Sequence, residues 1–427
     1  MTTDSPWRRP DFRMLFTATA FSQLGSAVGH VAVPLIAVVA LDADAGQVGL
    51  LATLSTVAFL LIGLPAGAWV DRMHHRPVLI AADLARALLV ASVPLAWALD
   101  ALTLGQLYAV VLVSGCATVF FDVASQSVLP TLVGPGGLVR ANSAVVSLQA
   151  ASQVGGRGAG GGLVQLLGVP VALVGVAALH LASALRLTGM RAAAPTERVT
   201  IAGGNRGLRT EIAEGMRHVL GHGELRALAL SAALTNLGIQ MLNTLLPVLF
   251  VRELGLSPGA LGVYLAVGAM GVFIGARCAD RLAGRLGLGR TLGAAGLCMA
   301  PGALLIPLID RGPWLWLASA GWLLCTFRVG VGNVLAVSLR QRLTPDPLLG
   351  RMNATFRFML TGALAVGSAA AGLIGQYAGV RYALWTGGCC VALALLPVLF
   401  SPVRGRRGLP QQAVMAHERG RGRVAQG

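Results

Sequence analysis

Hydrophobic residues gather into long runs along this chain, with short polar turns between them. A helix needs about 20 mostly apolar residues to cross the hydrocarbon core of a membrane, and twelve stretches meet that length. They cover residues 12–41, 47–70, 77–99, 104–128, 139–166, 168–188, 226–251, 259–279, 290–309, 313–338, 352–378 and 382–401. The pattern predicts an all-α membrane protein with 12 transmembrane helices in two pseudo-symmetric six-helix bundles.

The arginines lie mostly on one side of this predicted membrane. The loops of the opposite side hold only Arg252, Arg311 and Arg381. Cytoplasmic loops carry an excess of basic residues, so we expect both termini and the central loop to be cytoplasmic. The predicted domains are an N-terminal bundle (1–190), a cytoplasmic central loop (191–224), a C-terminal bundle (225–402) and a basic, disordered cytoplasmic tail (403–427).

Part of the central loop is predicted to form a helix on the membrane surface. In the segment LRTEIAEGMRHVL, the apolar residues Leu208, Ile212, Met216 and Val219 recur at helical spacing. An amphipathic helix of this kind lies in the interface between lipid and water.

Composition excludes several other classes of protein. Hydrophobic residues make up 55% of the chain and charged residues 12%, which are not values of a soluble protein. The net charge of +16 is spread over loops that flank the membrane, which argues against nucleic acid as a partner. All 33 basic residues are arginine, and without lysine there is no Walker A phosphate loop. The six cysteines lack metal-ligand spacing, and no enzyme motif is found, so we expect no metal, no cofactor and no enzymatic activity.

One loop occurs twice in the sequence. GLPAGAWVDRMHHR ends at Arg76, and GVFIGARCADRLAGR ends at Arg285; their Asp-Arg steps begin at Asp71 and Asp280, 209 residues apart. Three further pairs share an offset of 211 residues, namely Asp122 with Asn333, Arg140 with Arg351, and Asn142 with Asn353. A repeat of half the chain length indicates a duplicated bundle, as in many transporters.

The repeated loop resembles the hallmark cytoplasmic loop of the major facilitator superfamily. SQLG near Ser22, IAADLARAL near Ile80, FFDVASQSVLP near Phe120 and VRAN near Val139 look like the branch that contains siderophore and macrolide exporters. The resemblance runs from about Asp11 to Pro402. It implies a monomeric secondary transporter of the bacterial inner membrane that exports an amphipathic drug, siderophore or secondary metabolite by proton-coupled antiport. The alternatives are an uptake or lipid transporter of the same fold, or a membrane sensor or scaffold that transports nothing.

The resemblance also implies a latch between the two halves. Asp71 would cap the eleventh helix near Arg351, and Arg72 or Arg76 would pair with Asp122, which could instead carry a proton. Asp280 would form a weaker mirror contact with the start of helix five, because Asn333 replaces the acid there. The predicted gating residues are Gly67, Asp71, Arg72, Arg76, Asp122, Asp280, Arg281 and Arg285.

Polar residues follow one face of several predicted helices. Polar side chains are costly in hydrocarbon and tend to face a cavity or one another, so they are the candidates for a substrate path; hydrogen bonds between helices are the alternative. The candidates are Gln23, Ser26, His30, Thr118, Gln149, Gln153, Arg157, Asn236, Gln240 and Asn243. His30 is the better candidate for titration near neutral pH. His180 is expected to pack as a neutral side chain.

Helix five departs from the family pattern at Arg157. The family's antiporter motif GPxxGG is replaced by RGAGGG, which keeps Gly158, Gly161 and Gly162 but lacks the proline. The bend that proline would promote is then left to the glycines. Arg157 is interpreted either as a cavity residue that attracts anions or as one that snorkels or pairs with a carbonyl. Arg328 and Arg357 are expected to snorkel toward the cytoplasm, and substrate binding is the alternative.

Overall fold

The structure is a computed structural model that describes residues 6–70, 72–190, 208–345, 348–406 and 408. Asp71, the segment 191–207 and the tail from residue 409 lie outside the described residues. The regular structure of the described part is helical throughout. This confirms the all-α prediction.

Twelve helices follow the predicted apolar stretches. They are α1 (Pro10–Ala40), α2 (Ala45–Val70), α3 (His75–Ala98), α4 (Leu104–Gly134), α5 (135–167), α6 (Val169–Thr188), α7 (Gly223–Pro247), α8 (Pro258–Leu286), α9 (Leu288–Leu305), α10 (Pro313–Leu343), α11 (Leu349–Tyr377) and α12 (Val380–Leu399). A further helix, Leu208–Gly221, is called the linker helix. A six-residue π-helical segment, Val248–Glu253, extends α7.

The boundary between α4 and α5 is a single residue. The sequence predicted a loop over 129–138, but helical geometry continues through this stretch except at Gly134, whose φ is 68° and ψ is 173°. Glycine adopts positive φ without steric cost, so it can redirect the chain without a loop.

Eleven helices of the described chain are long and apolar enough to cross a membrane, and α5 is the exception. Its sequence is rich in glycine, serine and glutamine and includes Arg157, which lowers its hydropathy. It is nevertheless as long as the other helices and packs against α1 and α8. The chain is therefore a multi-pass membrane protein, and its fifth helix joins the bundle although its sequence is less apolar.

The helices before and after the linker helix repeat one packing arrangement. In the first half, α1 packs against α5 and α6, and α3 packs against α6; in the second half, α7 packs against α11 and α12, and α9 against α12. The two halves meet where α2 contacts α11 and α5 contacts α8. Each half therefore supplies equivalent helices to the interface between them.

Two glycine pairs hold the halves together on one side of the bundle. We call this side the arginine-poor side, and the side where α1 begins the arginine-rich side. A Cβ atom on Gly49 of α2 would lie 2.3 Å from the Cα of Gly372 in α11, and one on Gly161 of α5 would lie 2.6 Å from the Cα of Gly262 in α8. Backbones approach this closely only where side chains are absent.

Polar contacts add to the closure of the arginine-poor side. Arg252, at the end of the π-helical segment, lies 2.5 Å from the carboxylate of Asp42 in the turn after α1. The backbone N–H of Gly46 donates to Oε1 of Gln376 at 3.1 Å. Both contacts join the first half to the second. The turns as well as the helices are therefore in contact on this side.

The linker helix packs on the second half of the protein. Nη1 of Arg351, in the first turn of α11, lies 2.6 Å from Oε2 of Glu214, and Val219 is fully buried in a cluster with Leu225 of α7. The prediction of a helix in this segment is correct, but part of its apolar face contacts protein instead of lipid. The side chains of Leu208 and Ile212 lie outside the described set.

The ordered part of the chain extends further than predicted at its C-terminal end. The predicted tail begins at residue 403, yet Pro402–Gly405 forms a short 3-10 helix in which Val403 is fully buried. Nε of Arg406 lies 2.8 Å from Oε2 of Glu224 at the start of α7, and its carbonyl accepts from the N–H of Gly289 at 2.8 Å. These contacts fix the segment as far as residue 406.

The glycine pairs give a test of the closed arginine-poor side. We expect Gly49→Val and Gly161→Val to separate this side, because the added side chains have no space between the paired backbones. Distances between spin labels at the arginine-poor ends of α2 and α11 should shift to longer values. Gly175→Val on α6, where a Cβ meets nothing within 4 Å, is the control and should leave them unchanged. Unchanged distances in the first two variants would contradict the observed packing.

Candidate functional site

A cavity of about 520 Å³ lies between the two halves. Its wall is formed by residues of α1 to α6 from the first half and of α7, α8 and α11 from the second, with most of them on α1, α2, α4 and α7. Most of the wall is apolar, and the volume falls in the range of sites for drug-sized ligands. The cavity is therefore large enough to enclose a small organic molecule.

A second cleft leads from this cavity toward the arginine-rich side. It measures about 270 Å³ and shares Phe59 and Thr361 with the main cavity. From there it follows α2 and α11 to Gly63 and Asn353. The space between the halves therefore continues away from the glycine pairs, in the direction of the linker helix.

The structure brings together six of the ten side chains predicted to line a cavity. Those on the wall are Ser26, His30, Thr118, Arg157, Gln240 and Asn243. The remaining four, which do not line it, are Gln23, Gln149, Gln153 and Asn236. Helical spacing identifies a shared face, but it does not tell how far along that face the neighbouring half reaches. Whether these residues bind substrate stays a prediction.

The amides of α7 serve both to join helices and to line the cavity. Nε2 of Gln240 donates to Oγ of Ser368 on α11 at 2.9 Å. Nδ2 of Asn243 donates to the carbonyl of Ile239 at 3.0 Å, while its Oδ1 is buried without a hydrogen-bond partner in the described chain. Gln240 therefore forms a hydrogen bond between helices, which was the alternative to lining a substrate path. Oδ1 of Asn243 can still accept a hydrogen bond.

A buried ionic cluster in the first half was missed by the sequence analysis. Asp83 and Arg86 of α3 form an ion pair, with 0% and 3% of their side chains exposed. Nη2 of Arg86 donates to Oγ of Ser22 at 2.9 Å, and Ser183 also donates to the carboxylate of Asp83. Nδ1 of His180 lies 3.4 Å from that carboxylate. We call these five residues the Asp83 cluster.

The Asp83 cluster touches the cavity through its basic members. Arg86 and His180 lie on the cavity wall, whereas Asp83 is behind them. The Cζ atom of Arg86 also lies 4.7 Å from the ring centre of Phe121 on α4, a cation–π contact. An acid three residues before a base inside an apolar run would have identified the pair, because both side chains project from one face of a helix.

The second half contains a simpler counterpart. Ser231 of α7 lies 209 residues after Ser22, the same offset as the repeated loop, and its Oγ accepts from Nη2 of Arg328 at 3.0 Å. Only 8% of Arg328 is exposed, so the prediction that it snorkels is wrong. Its guanidinium is held inside the bundle by a hydroxyl group, and no carboxylate accompanies it within the described residues.

In the part of the predicted latch that the structure describes, neither Arg72 nor Arg76 pairs with Asp122. Arg76 donates to the carbonyls of Leu187, at 3.3 Å, and Thr188 at the end of α6, where cations satisfy free helix carbonyls. Asp122 forms no ion pair within the described part of the chain.

The other predicted latch residues that the structure describes also lack the predicted contacts. Arg72, Asp280, Arg281 and Arg285 are exposed, and a Cβ atom on Gly67 would meet nothing within 4 Å. Asp71 lies outside the described residues. On the arginine-rich side, the loop that would form the latch therefore has open space beside it.

The three glycines of helix five have different surroundings. Gly161 packs against Gly262, a Cβ on Gly158 would lie 3.5 Å from Ala266, and one on Gly162 would meet nothing within 4 Å. Arg157, one turn before Gly161, lies on the cavity wall. Of these three glycines, Gly161 alone packs closely against α8, and the charged Arg157 lies one turn from it.

Comparison with known proteins gives one family. The family model described as Major Facilitator Superfamily matches residues 15–360 and 228–419. The multidrug efflux pump Tap of Mycobacterium tuberculosis is 30% identical over 321 residues, which cover 72% of this chain and 73% of the pump. Tap of Mycolicibacterium fortuitum is 30% identical over 306 residues, covering 67% and 72%.

Solved structures with the same fold include two transporters. A bacterial homologue of the iron transporter ferroportin in an inward-facing state has a TM-score of 0.72 at 18% identity, covering 91% of this chain and 98% of that one. The nucleoside transporter NupG has a TM-score of 0.71 at 11% identity, covering 92% and 99%. At these identities the likeness concerns the fold.

The Asp83 cluster gives a prediction about stability. Asp83→Asn leaves the buried charge of Arg86 without its partner, and breaking a buried ion pair on one side costs about 3–5 kcal/mol. We expect a clear fall in the melting temperature of the purified protein, and a smaller fall in Asp83→Asn/Arg86→Met, which removes both charges. Asp280→Asn, at an exposed site, is the control. An unchanged melting temperature in Asp83→Asn would show that the pair does not stabilise the bundle.

Proposed function

The chain belongs to the major facilitator superfamily, and from this premise we propose that it exports an amphipathic small molecule by alternating access. The observation that carries the proposal is the cavity of about 520 Å³ lined by both halves. It is closed on one side by glycine pairs and continues as a cleft toward the other. A sensor or scaffold has no need of such a cavity.

The arginine distribution assigns the two sides in this proposal. Basic loops lie in the cytoplasm of bacterial inner-membrane proteins, so the arginine-rich side, with both termini, is placed in the cytoplasm. The structure is then inward-facing, and its cavity receives substrate from the cell interior or the inner leaflet. Export is supported by the similarity to Tap, which is named as a multidrug efflux pump.

Alternating access requires each side to open in turn. The glycine pairs must separate on the arginine-poor side while the loop around Gly67 approaches α11 on the other. In that second state we propose that Asp71, Arg72 and Arg76 form the latch with the start of α11 and with Asp122, and that Asp280 with Arg281 and Arg285 forms its weaker mirror. The open space at Gly67 is what the closing movement would occupy.

Protons are the proposed coupling ion. His30 and Asp122 are candidate carriers, and the structure adds Asp83, because its carboxylate holds Arg86 at the cavity wall. A proton moving inward down its gradient would drive return of the empty carrier.

Proton exchange can be measured directly in inside-out vesicles. With an acidified lumen and a pH-sensitive dye, addition of a transported amphiphile should release protons from the lumen, because substrate enters as protons leave. Anionic, neutral and cationic compounds are added in turn, and vesicles without the protein are the control. Substrate uptake without proton release would retain export and reject proton coupling. Substrate movement only out of the lumen would favour uptake into the cell.

Gly67 tests the closing movement. We expect Gly67→Leu to fold normally, since open space surrounds this position, but to reduce transport at least tenfold because the side chain would obstruct approach to α11. Gly175→Leu, also in open space, is the matched control and should transport normally. Both are compared by initial rates in vesicles at equal protein content. Full activity in Gly67→Leu would contradict the proposed latch.

A further inference from the structure

Arg157 is a charged residue on the cavity wall that has no partner in the described chain. It takes part in no hydrogen bond or ion pair there, in contrast to Arg86 and Arg328. An arginine keeps its charge at all physiological pH values and presents five N–H donors. Charges at membrane depth are costly and usually face a partner or a pathway. An unpaired guanidinium at this position is therefore available to a ligand.

The cavity wall supplies no negative charge to balance Arg157. The ionisable wall residues with basic side chains are His30, Arg86, Arg157 and His180. Within the described chain, no aspartate or glutamate lines this cavity. Arg86 and His180 already contact Asp83, and His30 lines the same cavity as Arg157. The net charge offered to a bound molecule is therefore positive.

The internal repeat shows that the fold does not need a charge here. Ser368 of α11 lies 211 residues after Arg157, and each stands four residues before a closing glycine, Gly372 or Gly161. The carbonyl of Arg157 is 3.1 Å from the Cβ position of Gly262, and that of Ser368 is 3.3 Å from the Cβ position of Gly49. A small neutral residue thus satisfies the same packing in the other half.

We propose that Arg157 binds a carboxylate group of the exported molecule, so that the substrates are anionic amphiphiles. The inference rests on the proposed function and names its substrate class. The planar guanidinium can hold a carboxylate through two parallel hydrogen bonds. The apolar body of the molecule would contact the valine, leucine and proline side chains of the wall.

The position of Arg157 connects binding to the movement of the halves. It lies one turn from Gly161, which packs against Gly262, so a bound carboxylate is next to the closed end of the cavity. When that glycine pair separates, the same carboxylate is exposed to the arginine-poor side. Release to the exterior then needs no second binding site.

Binding of three matched probes tests the inference. Each has a dansyl group and one undecyl chain, which ends in a carboxylate, a primary amide or an amine. Their fluorescence is titrated with the full-length protein in lipid nanodiscs. We expect the carboxylate to bind at least tenfold more tightly than the amide and the amine, Arg157→Gln to reduce that preference below threefold, and Arg157→Lys to keep most of it. Arg277→Gln, an exposed arginine outside the cavity wall, should retain it fully.

The outcomes separate this inference from the proposed function. A wild-type protein that does not prefer the carboxylate, or a folded Arg157→Gln protein that still does, would overturn the inference. If Arg157→Gln fails to fold, the relative affinities of the three probes for the wild-type protein and for Arg157→Lys test the inference instead. The same probes are then added to inside-out vesicles. If the carboxylate probe binds preferentially but is not transported, export is rejected and the carboxylate site is retained. If the amide and amine probes are transported but the carboxylate probe is not, export is retained and the carboxylate site is rejected.

Discussion

Close contact between backbones on the arginine-poor side is the constraint on which the conformation depends. Helices in a membrane gain little from burying apolar surface, since lipid is as apolar as a leucine side chain, so they associate through packing of small residues and through polar contacts. Gly49 with Gly372 and Gly161 with Gly262 provide that packing at equivalent positions of the two halves. The cavity exists because the helices touch on the arginine-poor side and diverge toward the arginine-rich side. It stays closed on the arginine-poor side only while those four glycines remain in contact.

Charged side chains within the apolar helices have three different kinds of surroundings. Asp83 and Arg86 neutralise each other and form further hydrogen bonds with the hydroxyl groups of Ser22 and Ser183, as favours a buried ion pair. Arg328 relies on Ser231, without an acid in the described part of the chain. Arg157 faces the cavity. The first two arrangements fix helices within one half, and the third leaves a charge where the halves meet, which is why it is the one assigned to a ligand.

The sequence predicts the helices well and their mutual geometry poorly. Long apolar runs leave helix as the form that satisfies the backbone in lipid, and the repeated loop shows the duplication. The loop predicted between α4 and α5 is absent because Gly134 alone turns the chain. The pairing of Asp83 with Arg86 could have been predicted from their spacing, but the hydroxyl groups around them could not, because Ser22 is 61 residues away from Asp83 and Ser183 is 100 residues away. Gln149 and Asn236 share a helical face with cavity residues, but periodicity along one helix does not locate its neighbours.

The contact between Glu214 and Arg351 determines which half carries the linker helix. Because this helix packs on α11, the proposed alternating-access movement would carry it with the second half. Arg351 lies in the first turn of α11, on the arginine-rich side. The position of the linker helix and the opening of that side would therefore change together.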